Sequence, residues 1–234
     1  MYYFYGYPLD STFILIIIGM VLSLLASLMV KTTFAKYSKV RSLSGLTGAE
    51  AAERILRSAG IDDVVIRPIS GNLTDHYDPR DKTLKLSETV YNNTSVAAVG
   101  VAAHECGHAI QHNRGYVPLR LRGALVPIAN FGASVSWPMI LLGLFLGGSQ
   151  SLINLGIILF SLAVLFQLVT LPVEFNASRR AVQIVDDTGI LSTEEVRQTR
   201  KVLSAAALTY VAGAAASILQ LLRLVILFGG RDRD

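Results

Sequence analysis

The sequence predicts an α-helical membrane protein of about four transmembrane helices, carrying a small α+β portion around a metal-binding helix. Three observations lead there. Of 234 residues, 52% are hydrophobic and 16% charged, whereas an average soluble domain is about 25% charged. Residues 11–30, 123–173 and 202–222 contain no charged side chain. Between the first two runs stands His104-Glu105-Cys106-Gly107-His108, the HExxH spacing that places two imidazoles on one helical face.

The first element is a span over residues 11–30, twenty residues and enough to cross a bilayer. The ten residues before it are aromatic, with Tyr2, Tyr3, Phe4, Tyr5 and Tyr7. That composition suits a membrane interface, and it equally suits a disordered tail. No basic residue precedes the run and no small-residue cleavage site follows it, so it reads as an anchor rather than a signal peptide. Lys31, Lys36, Lys39 and Arg41 come next. The positive-inside rule then places the N-terminus outside and the following chain in the cytosol.

Residues 31–126 form the polar portion. Thr47 and Glu50 have the spacing of a capping box, opening a helix that runs through Ile55, Leu56 and Ala59 and stops at Gly60. The β-branched stretch from Val64 to Ile69 reads as a strand. Turn residues follow at Gly71-Asn72 and at Asp78 to Asp81; Thr83 to Ser87 alternates as a second, short strand. Asn92 to Ser95 supply caps for the helix that carries the motif.

On that helix His104 and His108 stand one turn apart and can hold one ion. Glu105 points beside them, placed to take a proton from a water on the metal and to return it to a leaving amine. Val99, Val101, Ala102, Ala103, Ala109 and Ile110 surround the pattern. The helix is therefore buried, and buried His and Glu require partners. Cys106 lies about 200° of rotation from His104 and faces away from the ion. Gly107 weakens the helix, which implies a close neighbour. His112 sits about 6 Å beyond His108 along the axis, too far to share the ion, and reads as a helix-end residue.

Residues 127–171 read as a transmembrane helical hairpin, with Gly147 to Gln150 as its turn. Arg114, Arg120 and Arg122 flank its start, while Arg179 and Arg180 lie past its end, so both ends face the cytosol. The chain thus returns to the side of His104 just where Glu174 stands. In a glutamate-type zinc hydrolase the third ligand is a Glu on a later helix, often followed by an Asp in the pattern ExxxD. Glu174 takes the ligand position of that pattern, and Ser178 takes the place of the bracing Asp. A hydroxyl braces a histidine more weakly than a carboxylate; Asp186 and Asp187 are the alternative braces. Residues 172–201 hold this third-ligand helix and a cytosolic segment. Residues 202–228 read as a fourth span, with Ala205, Thr209, Gly213 and Ser217 as a stripe of small residues.

Net charge is +4. In a membrane protein such a surplus sets topology, and no zinc-finger spacing, phosphate loop or aromatic-basic pattern points to nucleic acid. Cys106 is the only cysteine, which excludes an internal disulfide.

The single anchor, Tyr77-Asp78-Pro79, Leu84 to Ser87, Ala103 to Gln111, the apolar hairpin and Glu174 to Ala177 together resemble the YugP-type membrane zinc metallopeptidases of bacteria. The resemblance covers nearly the whole chain. It implies a zincin-like catalytic portion of gluzincin type, with one zinc ion on His104, His108 and Glu174 and with Glu105 as general base. The layout is also similar to HtpX-type and CAAX-processing membrane proteases. There, the strand before the metal helix pairs with an extended substrate; the likeness assigns that role to Leu84, Lys85, Leu86 and Ser87. Ser178 departs from the pattern. His76 and Tyr77 are the candidates for oxyanion or substrate contact, although both read first as turn residues.

The expectation is a multi-pass protein of the bacterial cell membrane, its active site facing the cytosol. It would hydrolyse peptide bonds of membrane or membrane-proximal proteins by Glu105-assisted attack of a zinc-bound water. Two alternatives share the metal ligands: a zinc amidohydrolase or lipid-directed hydrolase, and a non-catalytic membrane scaffold with structural zinc.

Overall fold

In a computed structural model, the structure describes residues 3–4, 7–8 and 10–229. Most of the aromatic N-terminal stretch and the tail beyond residue 229 lie outside the described residues. The elements run β1 (Tyr3–Phe4), β2 (Tyr7–Pro8), α1 (Phe13–Tyr37), α2 (Gly48–Ser58), β3 (Val65–Ile69), β4 (His76–Asp78), β5 (Thr83–Ser87), α3 (Glu88–Tyr91), α4 (Val96–Asn113), α5 (Val117–Phe145), α6 (Gln150–Asp187) and α7 (Thr193–Phe228). The fold class is helical: among the described residues four helices (α1, α5, α6, α7) are long and apolar enough to cross a bilayer, and β3, β4 and β5 form a three-stranded sheet.

The chain divides into two compact units. One comprises Met1–Ala26, Leu121–Thr170 and Thr209–Asp234. Its helices approach closely where side chains are small. A Cβ on Gly132 would stand 2.6 Å from the carbonyl oxygen of Leu159, and one on Gly156 would stand 2.8 Å from that of Ser136. Backbones packed at that distance gain dispersion that lipid tails cannot offer. Helix α5 starts at Val117, ten residues before the expected hairpin, and passes through Pro127 and Pro138. Proline costs a backbone hydrogen bond, but its surroundings in a membrane protein can make good the loss.

The other unit comprises Ser27–Arg120 and Leu171–Leu208. It contains α2, the sheet, α3 and α4, together with the nearby ends of α1, α6 and α7. Helix α2 begins with a complete capping box: Thr47 Oγ1 accepts from the Glu50 amide, and the Glu50 side chain accepts from the Thr47 amide. It ends before Gly60, whose φ of +69° a side chain would resist. Its apolar face (Ala51, Ala52, Ile55 and Leu56) packs with Leu84 and Leu86 of β5 and with α4 in one continuous core. Helix α4 is capped by Ser95, whose Oγ accepts from the Ala98 amide at 3.2 Å.

The sheet corrects two expectations. Its order is β3-β5-β4, so β5 is the central strand. It pairs parallel with β3 and antiparallel with β4, leaving no edge for a substrate. The assigned residues have other work: Leu84 and Leu86 are fully buried, Lys85 reaches Asp78 at 3.8 Å, and Ser87 donates its amide to Asp75 at 2.7 Å. His76 and Tyr77 are not turn residues; they form strand β4, an edge of the sheet. Three residues beside a turn-rich stretch carry too little alternation to reveal a strand.

Candidate metal centre

Three side chains converge. His104 and His108 project from α4, one turn apart, with ring centroids 4.8 Å apart and planes at 86°. Glu174 projects from α6. Its Oε2 lies 3.3 Å from His104 Nε2 and 3.5 Å from His108 Nε2. The three ligand atoms all fall within 4.8 Å of one another. Among the described residues, this is the group of His, Cys, Asp and Glu side chains with metal-site spacing.

The outer nitrogens explain why the Nε2 atoms turn inward. Gln111 Nε2 donates to the carbonyl oxygen of Val173 at 2.8 Å and to Asn176 Oδ1 at 3.0 Å. Those two acceptors fix the amide, so its Oε1 faces His108 Nδ1 at 3.0 Å. An amide oxygen only accepts, so His108 Nδ1 carries the proton and Nε2 presents its lone pair. Asn176 Oδ1 also accepts from Arg180 Nε at 2.7 Å, which ties the network along α6. On the other imidazole, Ser178 Oγ lies 3.1 Å from His104 Nδ1.

Two imidazole nitrogens and a carboxylate oxygen therefore face one point in a nearly dry setting, with Glu174 only 2% exposed. All three are acceptors and require a cation or protons between them. Burial alone would lower the proton affinity of His108. The hydrogen bond to Glu174, the charges of Glu105 and Glu174 and the bond to Gln111 outweigh it and hold the imidazole above its usual range. The donor set, two imidazole nitrogens and one carboxylate oxygen, fits the chemistry of a catalytic zinc site.

Helix α4 reaches α6 because Gly107 is bare. A Cβ there would stand 2.7 Å from the carbonyl oxygen of Ala177. This contact brings the Glu174 turn of α6 to the two histidines. Cys106 points the opposite way, fully buried, with Sγ 3.6 Å from the carbonyl oxygen of Ala52.

Glu105 lies beside the ligand set rather than in it. Its Oε2 accepts from the backbone amide of Tyr77 at 3.0 Å. The Tyr77 hydroxyl in turn is 2.8 Å from His112 Nδ1. Burial, followed by the charges of Asp63, Asp78 and Asp81, pushes the Tyr77 phenol up to about 12, so it remains protonated. His76 is turned elsewhere, its Nδ1 2.9 Å from the carbonyl oxygen of Thr74. Asp186 and Asp187 stand two or more turns past Ser178 on α6 and are exposed, away from His104.

Sequence reasoning missed the Gln111 network and the Tyr77–His112 pair. A buried Gln three residues after a metal histidine on the same face was the available signal, since a buried amide must have partners.

Residues 12–229 match the profile of a family described as "Putative neutral zinc metallopeptidase". The chain is 53% identical over 214 residues to the "Putative membrane protease YugP" of Bacillus subtilis (strain 168), a match covering 91% of this chain and 95% of that protein. No solved structure matches the chain.

Proposed function

The chain belongs to the family described as putative neutral zinc metallopeptidases, and on that premise we propose that it is a membrane-embedded, zinc-dependent endopeptidase. Its substrates are peptide bonds in membrane or membrane-proximal proteins. The observation that carries this reading is the convergence of His104 Nε2, His108 Nε2 and Glu174 Oε2, with Glu105 beside them and not among them. A purely structural zinc site is closed by four protein ligands and has no use for such a carboxylate.

His104, His108 and Glu174 would hold one zinc ion. When bound, the ion supplies Lewis acidity: it makes water ionise near neutral pH and polarises a carbonyl. The chain's own residues do the rest. Glu105 accepts the proton of the attacking water on its carboxylate and later delivers it to the leaving amine. The Tyr77 amide fixes the Glu105 carboxylate by holding Oε2, leaving Oε1 for that exchange. Gln111 holds His108 in the tautomer that presents Nε2, and Ser178 holds the orientation of the His104 ring.

Strand β4, as the sheet edge whose Tyr77 amide touches Glu105, is where an extended peptide would pair. Tyr77 and His112 lie there, their side chains joined through the Tyr77 hydroxyl and His112 Nδ1, and we assign Tyr77 to substrate contact. Glu174 follows directly on the charge-free run that ends at Val173, so the reaction would occur beside the bilayer. Lys31, Lys36, Lys39 and Arg41 after the first span support a site that faces the cytosol.

The test is Glu105→Gln in the purified full chain, with bound zinc and hydrolysis of unfolded casein, small amides and phospholipid measured on one preparation. The variant should hold as much zinc as wild type and lose peptide hydrolysis by about 10²–10⁴-fold. Equal cleavage rates in both proteins would refute the role of Glu105. Hydrolysis of amide or lipid with none of peptide would refute the substrate class.

A further inference from the structure

We propose that the recess between α1 and α7 binds the phosphodiester headgroup of an anionic phospholipid. The recess has a volume of 570 Å³, and Met29 and Lys36 of α1 and Arg197, Arg200, Lys201 and Ser204 of α7 face it. On α7 these positions are spaced by three and four residues, a single helical face. Four cations thus line one cavity, and no carboxylate lines it. Arg197 is paired with Glu194 outside the recess. Lys36 lies over the ring of Tyr37, 5.4 Å from its centroid. Arg200 and Lys201 are exposed and meet no carboxylate among the described residues.

Like charges gathered around one cavity repel one another, and that repulsion is relieved by an anion. The position of the recess selects the kind of anion. On α1 it begins at Met29, within the charge-free run, and continues past Lys31 to Lys36. On α7 it begins at Arg197 and ends at Ser204, inside the charge-free run that starts at Val202. Both walls therefore change from charged to apolar along their length. Leu28 and Met29 at the apolar end are about half exposed, at 51% and 48%. A soluble phosphate would use the cations and leave this apolar end unused. A phospholipid uses both: phosphate against Arg200 and Lys201, hydroxyl donor Ser204 beside it, and acyl chains along Leu28 and Met29. Basic cavities at helix ends on the positively flanked side of a membrane suit acidic headgroups. The site is separate from the metal centre and does not depend on the proposed reaction.

The experiment uses the full chain in a nonionic detergent. Phosphatidylglycerol, phosphatidylcholine or inorganic phosphate is titrated, and binding is read by native mass spectrometry and thermal melting. Wild type should bind phosphatidylglycerol at least about tenfold more tightly than phosphatidylcholine, each decade being about 1.4 kcal/mol. The double variant Arg200→Gln/Lys201→Gln should lose that preference. The double variant Arg54→Gln/Arg57→Gln, which removes equal charge from α2, should keep it. Equal binding of the two lipids overturns the proposal, as does equal loss in both double variants. Protection by inorganic phosphate as strong as by phosphatidylglycerol also overturns it in favour of a soluble anion. A wild-type measurement covers the case in which the variant misfolds. A photoreactive phosphatidylglycerol should label residues 29–37 and 193–204 above the other apolar helices, and uniform labelling would contradict the assignment.

Discussion

Helix α4 has two faces, and they are held in different ways. One packs Val99, Ala102, Ala103, Cys106 and Ala109 into the core shared with α2 and β5. The other presents His104, His108 and Gln111 to α6, with Gly107 against the Ala177 carbonyl. On the first face what counts is volume, and substitutions of similar volume cost little. On the second each atom has a named partner, and a wrong atom leaves a buried group unpaired. The apolar face fixes the helix, and the polar face fixes the chemistry.

The largest effect on the polar face is expected of His108→Ala. Zinc content and peptide hydrolysis should both fall to background while melting without zinc changes only modestly, as measured by metal analysis and differential scanning fluorimetry. Gln111→Met comes next. It removes the carbonyl that holds His108 Nδ1 and leaves the Val173 carbonyl unserved. Zinc affinity should drop by about 10–100-fold in a chelator competition. Gly107→Ala pushes a methyl group against backbone that cannot yield and should cost about 1–3 kcal/mol of stability, read in a denaturant melt.

A smaller effect is expected at Ser178, which offers His104 a single hydroxyl. Ser178→Ala should weaken zinc binding less than Gln111→Met, and Ser178→Asp should strengthen it, since a charged acceptor bonds about twice as strongly. An equal loss in Ser178→Ala and Gln111→Met would erase the distinction between the two imidazoles.

The acid dependence follows from His108. Its folded pKa without metal is raised, so a proton competes with zinc up to a higher pH than an ordinary imidazole would allow. Zinc affinity should fall by about tenfold per unit as pH drops through that raised value. The metal-free chain should show the opposite trend. The stabilisation from protonated His108 is complete below the unfolded value near 6.5 and is lost as pH rises through the folded one. Melting temperature against pH, with and without zinc, checks both signs. The smallest effect belongs to the apolar face. Burial, helped by the Glu105 charge, pushes the Cys106 thiol well above its usual range. In the native chain it should resist iodoacetamide at pH 8 and react only in denaturant.

This contrast also explains what could be read in the sequence. The charge-free runs, the Thr47–Glu50 box and the spacing of His104 and His108 are local patterns, and each maps onto an element of the structure. Glu174 carries no such local sign. It stood out only because a two-histidine motif needs another ligand and the apolar run between them turns back on itself. The edge position of β4 and the Gln111 network were not legible. Strand order depends on which segment lies beside which, and Gln111 finds its partners 62 and 65 residues later. Periodicity records which face is buried but not what it meets there.

The most direct test of the metal centre is zinc K-edge absorption spectroscopy on the purified full chain, with the Glu174→Gln variant beside it. The expected spectrum has a nitrogen and oxygen shell with outer scattering from two imidazoles, and the variant should lose most of its zinc. A sulfur neighbour at about 2.3 Å, or undiminished zinc in Glu174→Gln, would contradict it.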